Sequence, residues 1–138
     1  MAKGNITNND VLEMILKGVD PAWRSSGSSV WIALHKTDPT ASGNQGSNEA
    51  DYTNYARVGV VKSTGWTDNG TNFTNATQIA FNQCGVTGNT INYVSIGSAS
   101  PVGSAGQIFY SGQLNSQLAV ANLIQPQFSI NALTITES

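Results

Sequence analysis

The chain has 138 residues, of which 39% are hydrophobic and only 10% charged, and six Lys and Arg against eight Asp and Glu leave a net charge of −2. This length suits one compact domain with its own core, and ample apolar content with so little charge is the reverse of a disordered composition. All six cations stand singly before Ser63, which excludes a basic field for a nucleic-acid backbone, no apolar run is long enough to span a membrane, and the lone Cys84 excludes an intrachain disulfide or a CxxC site.

Residues 1–7 are polar, precede any periodic pattern and read as an arm. The opening also lacks the hydrophobic core of a signal peptide, so the product is expected to be soluble and used without secretion. The segment "NNDVLEMILKG" (residues 8–18) predicts the one helix. Val11, Leu12, Ile15 and Leu16 share a stripe, Asp10 and Glu13 have the spacing of a cap and its reciprocal partner, and Gly18 ends the element. A helix this short is marginal alone. Its apolar stripe must therefore dock, on the sheet by the first expectation and on a partner by the second. Residues 19–29 are turn-like, with Trp23 expected to plug one end of the core.

Strand signals follow. In "SVWIALH", Val30, Ile32 and Leu34 alternate with Trp31, Ala33 and His35, the period of a strand with one face inward. If the aliphatic set faces the core, His35 points the other way. Residues 37–53 carry no strand signal, and connections of that length are usually functional or disordered. Then come "YARVGVVK", "NFTN", "QIAFNQ", "TINYVSIG", "QIFYSG", "QLAVAN", "QPQFSI" and "ALTIT", bounded by Gly, Asn, Ser or Pro and recurring about every ten residues. "GVTGNT" reads as a hairpin turn. The pattern predicts a single all-β domain, with residues 30–136 forming a two-sheet sandwich or a barrel.

Chemistry has few candidates. His35, the only histidine, with Asp38 and Ser42 or Ser47 has the residue types of a base, its orienting carboxylate and a nucleophile. Nothing in their spacing places a hydroxyl across the imidazole, and Asp38 before Pro39 is more simply a turn opener. The reading is a protein that is not an enzyme. Glu49 and Asp51 are the nearest approach to a hard-cation site, and solvation of the loop is their simpler role; no metal or other cofactor is expected. The aromatic residues lie mostly in or beside strands, where core filling accounts for them. Rings and amides together keep a glycan-binding surface open as an alternative.

Taken in order, "ALHKTDP", "NYARV", "YVSIGSAS", "GQIFYSGQL" and "ALTITES" resemble a family of small tailed-phage head decoration, or cement, proteins whose members are often labelled tail fibre proteins. The likeness runs over nearly the whole chain. It implies a jelly-roll-like two-sheet β-sandwich on the outer surface of the phage head, bridging subunits of the major capsid protein and pairing as a homodimer. A virion location follows from the same resemblance. Its alternative is a tail or fibre-associated module that binds a host glycan. The partner contacts expected on this reading are Asn5, Ile6 and Thr7 of the arm, Asp38, Asn48 and Glu49 of the long loop, and Tyr52, Tyr55 and Arg57 where the loop rejoins the sheet. Tyr and Arg are enriched at interface anchors, although for Arg57 a bond to local backbone carbonyls is an equal alternative.

Overall fold

The computed structural model describes residues 1–25 and 27–137. Among these residues the elements run β1 (Ala2–Lys3), α1 (Asn5–Lys17), α2 (Ala22–Ser25), β2 (Ser29–His35), β3 (Val58–Val61), β4 (Trp66–Asp68), β5 (Asn72–Asn75), β6 (Ile79–Ala80), β7 (Asn89–Gly97), β8 (Ile108–Val120), β9 (Gln127–Phe128) and β10 (Thr134–Thr136). The fold is all-β and sandwich-like. A five-stranded sheet, β1-β8-β7-β2-β3, faces a three-stranded sheet, β10-β5-β4, and a two-stranded one, β6-β9, with every pairing antiparallel. The second layer expected as one sheet is thus split in two.

One apolar cluster joins the layers. Ile32, Leu34, Val60, Ile91, Val94 and Ile96 of the large sheet meet Ile79, Phe81 and Leu133 of the opposite layer, and Tyr55 stacks on Phe81, which meets Phe128 edge to face. Each fully buried aliphatic or aromatic side chain there contributes about 1.5–3 kcal/mol. No helix among the described residues is long and apolar enough to cross a membrane.

Several local expectations change. The arm is part of the sheet, since Ala2 and Lys3 pair with Ser111 and Tyr110 of β8. The helix starts at Asn5, ahead of its expected cap, because Gly4 lets the chain pass against β8: a Cβ there would lie 2.3 Å from the Ile108 carbonyl oxygen. Asp10 is consequently mid-helix. "QIFYSG" and "QLAVAN" form one strand, β8, interrupted by a bulge. Tyr93 pairs with Gln113 and Ile91 with Leu118, so residues 114–117 stand opposite the single residue Asn92. "GVTGNT" is not a hairpin turn, because β6 pairs with β9 while β7 pairs with β2 and β8.

The helix docks by a face rotated from the expected one, and of the expected stripe only Val11 is partly buried, beside Thr7 and Trp23. The Thr7 hydroxyl donates to the Ile108 carbonyl at 2.8 Å, and Asp10 accepts from the Trp23 indole N–H at 2.7 Å and from Gln107 at 2.9 Å. Leu12, Ile15 and Leu16 face solvent. Three bonds, to Ile108 of β8, to Gln107 just before it and to Trp23 of α2, fix the roll of the helix.

Candidate functional site

Strand β3 pairs with β2 only as far as Ile32, which leaves the last residues of β2 with an open edge. The long loop fills it. Lys36 N–H bonds to Asn48 O at 2.9 Å and Ala50 N–H to Leu34 O at 2.8 Å, so Glu49 stands opposite His35 and is carried inside. There the Arg57 guanidinium forks onto it, Nε to Oε1 at 2.7 Å and Nη2 to Oε2 at 2.8 Å. The remaining Arg57 N–H groups reach the Ala99 carbonyl at 2.8 Å, the Ser104 carbonyl at 2.9 Å and the Ser104 hydroxyl at 3.1 Å. Glu49 also accepts from the Tyr55 hydroxyl at 3.0 Å and from Gly103 N–H at 2.8 Å. All five guanidinium donors are used, and two loops are tied to one ion pair.

Behind this pair lies His35, 0% exposed. Its Nδ1 is 2.9 Å from the Ser47 carbonyl oxygen, which can only accept, so Nδ1 carries the proton. Nε2, 2.7 Å from Ser95 Oγ, therefore accepts from that hydroxyl. Burial is the main influence on the imidazole and lowers its pKa, which keeps the ring neutral. A serine donating to a neutral histidine is the arrangement of an activated nucleophile, yet Ser95 is also 0% exposed and no substrate reaches it in this fold. The expected companions are elsewhere. Asp38 is exposed and its Oδ1 takes Thr40 N–H at 2.8 Å, the turn-opening role, while Ser47 contributes its carbonyl and Ser42 is exposed. Ser95 escaped the sequence reading because it lies on β7, distant in sequence and brought close only by strand pairing. Glu49 and Asp51 also part company: Asp51 is exposed and bonds to Lys36 and Asn89. Among the described residues no group of three or more His, Cys, Asp and Glu converges as metal ligands would.

The expected partner contacts divide accordingly. Thr7, Glu49, Tyr52, Tyr55 and Arg57 are buried, and their polar groups are bound inside: Tyr52 donates to Asn82 O at 2.9 Å and Tyr55 accepts from Leu34 N–H at 3.0 Å. This corrects their reading as surface anchors, because a partner would have to open the loop, or for Thr7 lift the helix, to touch them. For Arg57 the alternative of local carbonyl bonds is the one observed. Asn5, Ile6, Asp38 and Asn48 are exposed, and Asn48 steadies its own loop through Asp38 O at 2.9 Å.

What the surface does offer is a cleft of about 750 Å³ beside the β8 bulge, running from Met1 and Asp38 to the β9–β10 region. Its floor is apolar or aromatic, with Tyr93, Leu114, Leu118 and Phe128. Its rim carries Gln113, Asn115 and Gln117, exposed amides that have no protein hydrogen-bond partner among the described residues. Asp38 is the one charged side chain in the lining. The bulge that presents these amides was invisible in the sequence, where "QLNS" is only the gap between the strand segments "QIFYSG" and "QLAVAN".

Residues 2–136 match a family model described as Podophage GP4 fiber I protein gp80. No curated protein matches the chain.

Proposed function

The chain belongs to the Podophage GP4 fiber I protein gp80 family, a phage structural protein of the fibre type, and from that premise we propose that it is a fibre-associated binding module that holds a neutral host glycan in the cleft beside the β8 bulge. The observation that carries this reading is the set of unspent amides over an apolar floor. Each amide both donates and accepts, as sugar hydroxyls do, while the rings of Tyr93 and Phe128 in the lining supply apolar surface for the C–H face of a pyranose. A cleft of this size falls within the range of small-ligand sites. With one carboxylate in the lining, the matching ligand is uncharged. Binding, not turnover, is the proposed activity, since the one base–hydroxyl pair is sealed in the interior.

The test is calorimetric titration of the purified protein with delipidated surface polysaccharide from the host on which the phage grows. Saturable binding, abolished by periodate oxidation of the sugar and lost on replacing Gln113, Asn115 and Gln117 together by Ala, supports the proposal. Absence of heat at millimolar sugar repeat overturns the glycan ligand.

A second reading, a decoration protein that bridges major capsid subunits on the head, draws its support from the sequence resemblance spanning the chain. Immunogold labelling of intact particles separates the two. Gold at the tail supports the fibre-associated module. Gold spread over the head, together with particles that burst at lower temperature without the protein, supports decoration.

A further inference from the structure

A second cavity, of about 340 Å³, opens between the two layers beside the helices and shares no lining residue with the cleft at the β8 bulge. Trp66, Phe73 and Ile135 of the three-stranded sheet face Ile96 and Phe109 of the large sheet across it, and Trp23 of α2 closes one end, its ring 5.3 Å from that of Phe109. The lining contains no carboxylate and no side-chain amide. Its two hydroxyls are already engaged, Thr7 with Ile108 and Gln107, and Tyr110 with Glu137. A peptide or a sugar brings polar groups along its whole length, and burying them against such walls without partners is costly. The body of a fitting ligand is therefore apolar. Charge enters at one end, where Arg24 and Lys62 both line the cavity and the Lys62 ammonium bonds to the carbonyl of Trp23, the residue before Arg24, at 2.8 Å. The neighbouring acids lie outside the lining and are matched there: Asp10 to Trp23 and Gln107, Asp20 to one nitrogen of Arg24, and Glu137 to Lys3 and Tyr110.

We propose that this cavity binds a single medium-length acyl chain with an anionic head, the chain lying between the sheets and the head meeting Arg24 and Lys62. The volume sets the length. At about 30 Å³ for each water-sized group it holds about eleven, which is the size of a chain of about ten carbons. Each methylene moved from water onto these walls adds favourable transfer free energy, so the chain supplies the affinity. The two cations select the head, because a charged acceptor gains stronger bonds from them than a neutral one does. The Arg24 side chain is exposed, so the head keeps part of its water. Phe73, 47% exposed, stands where the cavity meets solvent and is the side chain past which the chain enters. A free fatty acid and an anionic membrane lipid both carry this chemistry.

Titration of the full chain with sodium decanoate, kept below the concentration at which it forms micelles, tests the site by heat and by tryptophan emission, since Trp23 and Trp66 line the cavity. Saturable one-to-one binding is expected, about tenfold tighter than that of decanol, and this advantage should vanish when Arg24→Gln and Lys62→Gln are combined. Phe73→Glu, at an exposed side chain, sets a carboxylate in the lining; it should weaken decanoate at least tenfold and leave the melting temperature in place. Absence of saturable binding, equal affinity for decanol, or a Phe73→Glu variant that binds as the wild type does overturns the proposal. Flotation with vesicles then separates the sources. Capture on phosphatidylglycerol but not on phosphatidylcholine vesicles, lost in Phe73→Glu, assigns the chain to a membrane lipid. For a protein that binds decanoate, absence of capture, or capture that Phe73→Glu leaves intact, assigns it to a free fatty acid.

Discussion

Glu49 and Arg57 meet as a two-bonded fork in the interior, their side chains 5% and 0% exposed, and between them they hold the loop after β2 to the loop after β7. Burying two charges is costly, and the cost is offset only while every donor and acceptor stays matched. Arg57→Ala leaves a carboxylate without its counter-ion, and Glu49→Ala does the reverse. Each single variant should lose about 3–5 kcal/mol in urea unfolding. The double variant should lose less than their sum by about 0.5–3 kcal/mol. Strict additivity would mean that the pair does not act as a unit.

His35 gives the stability a pH dependence of known sign. Its folded-state pKa lies below the ordinary 6.5, so at mildly acidic pH the unfolded chain binds a proton that the folded chain refuses. The contribution is fully present above pH 6.5, declines below it and is gone once pH falls through the folded value. Asp51 and Glu137 are shifted down from 3.8 and 4.5, the first chiefly by Asn89 and then Lys36, the second chiefly by Lys3 and then Tyr110. Their contributions are lost only at more acidic pH. Thermal unfolding followed between pH 7.5 and 5 should show a falling melting temperature for the wild type. His35→Asn, which retains a donor for the Ser47 carbonyl, should be less stable at pH 7.5 and flat across that window; an unchanged slope would assign the effect to another group.

What could be read without the structure follows from how local each cause is. The alternation in β2 and β7 depends only on neighbouring residues, and those strands appear where the pattern puts them. The helix was legible as an element but not in its orientation, because the acceptor that fixes it, Asp10, finds its donors on Trp23 and Gln107, which are remote in sequence. His35 was expected on an open face, and the chain supplies the cover itself by laying residues 47–50 along the free edge of β2. The cleft escaped for a similar reason. A bulge exists only as a mismatch between two strands, and neither strand displays it alone.

Gln45 and Gly97 make a second buried polar joint. The Gln45 amide, 0% exposed, donates to the Trp31 carbonyl at 2.9 Å and accepts from Ala99 N–H at 3.1 Å. A Cβ on Gly97 would fall 2.2 Å from Gln45 Cδ and 2.4 Å from the Gln107 carbonyl oxygen. Gly97→Ala should therefore cost about 1–3 kcal/mol by overpacking. Gln45→Ala should cost a similar amount by stranding two backbone groups. Hydrogen exchange at the Ala99 amide should accelerate in both variants, and protection retained in Gly97→Ala would show that the bond to Gln45 survives the added methyl.

The cleft amides are the converse case, because they stabilise nothing. Gln113, Asn115 and Gln117 are exposed and unbonded among the described residues, so their joint replacement by Ala should leave unfolding free energy within about 0.5 kcal/mol of wild type for each site. Glycan binding should nevertheless fall at least tenfold, because the sugar hydroxyls lose the groups that orient them. Salt adds a check on the ligand's charge. Contacts between an uncharged sugar and amides do not involve screening, so calorimetric affinity should stay constant from low to high ionic strength, and Asp38→Asn should change it little. An affinity that falls steeply with salt would identify a charged polysaccharide, a ligand for which this lining has no cationic side chain, and would count against the cleft as the binding site.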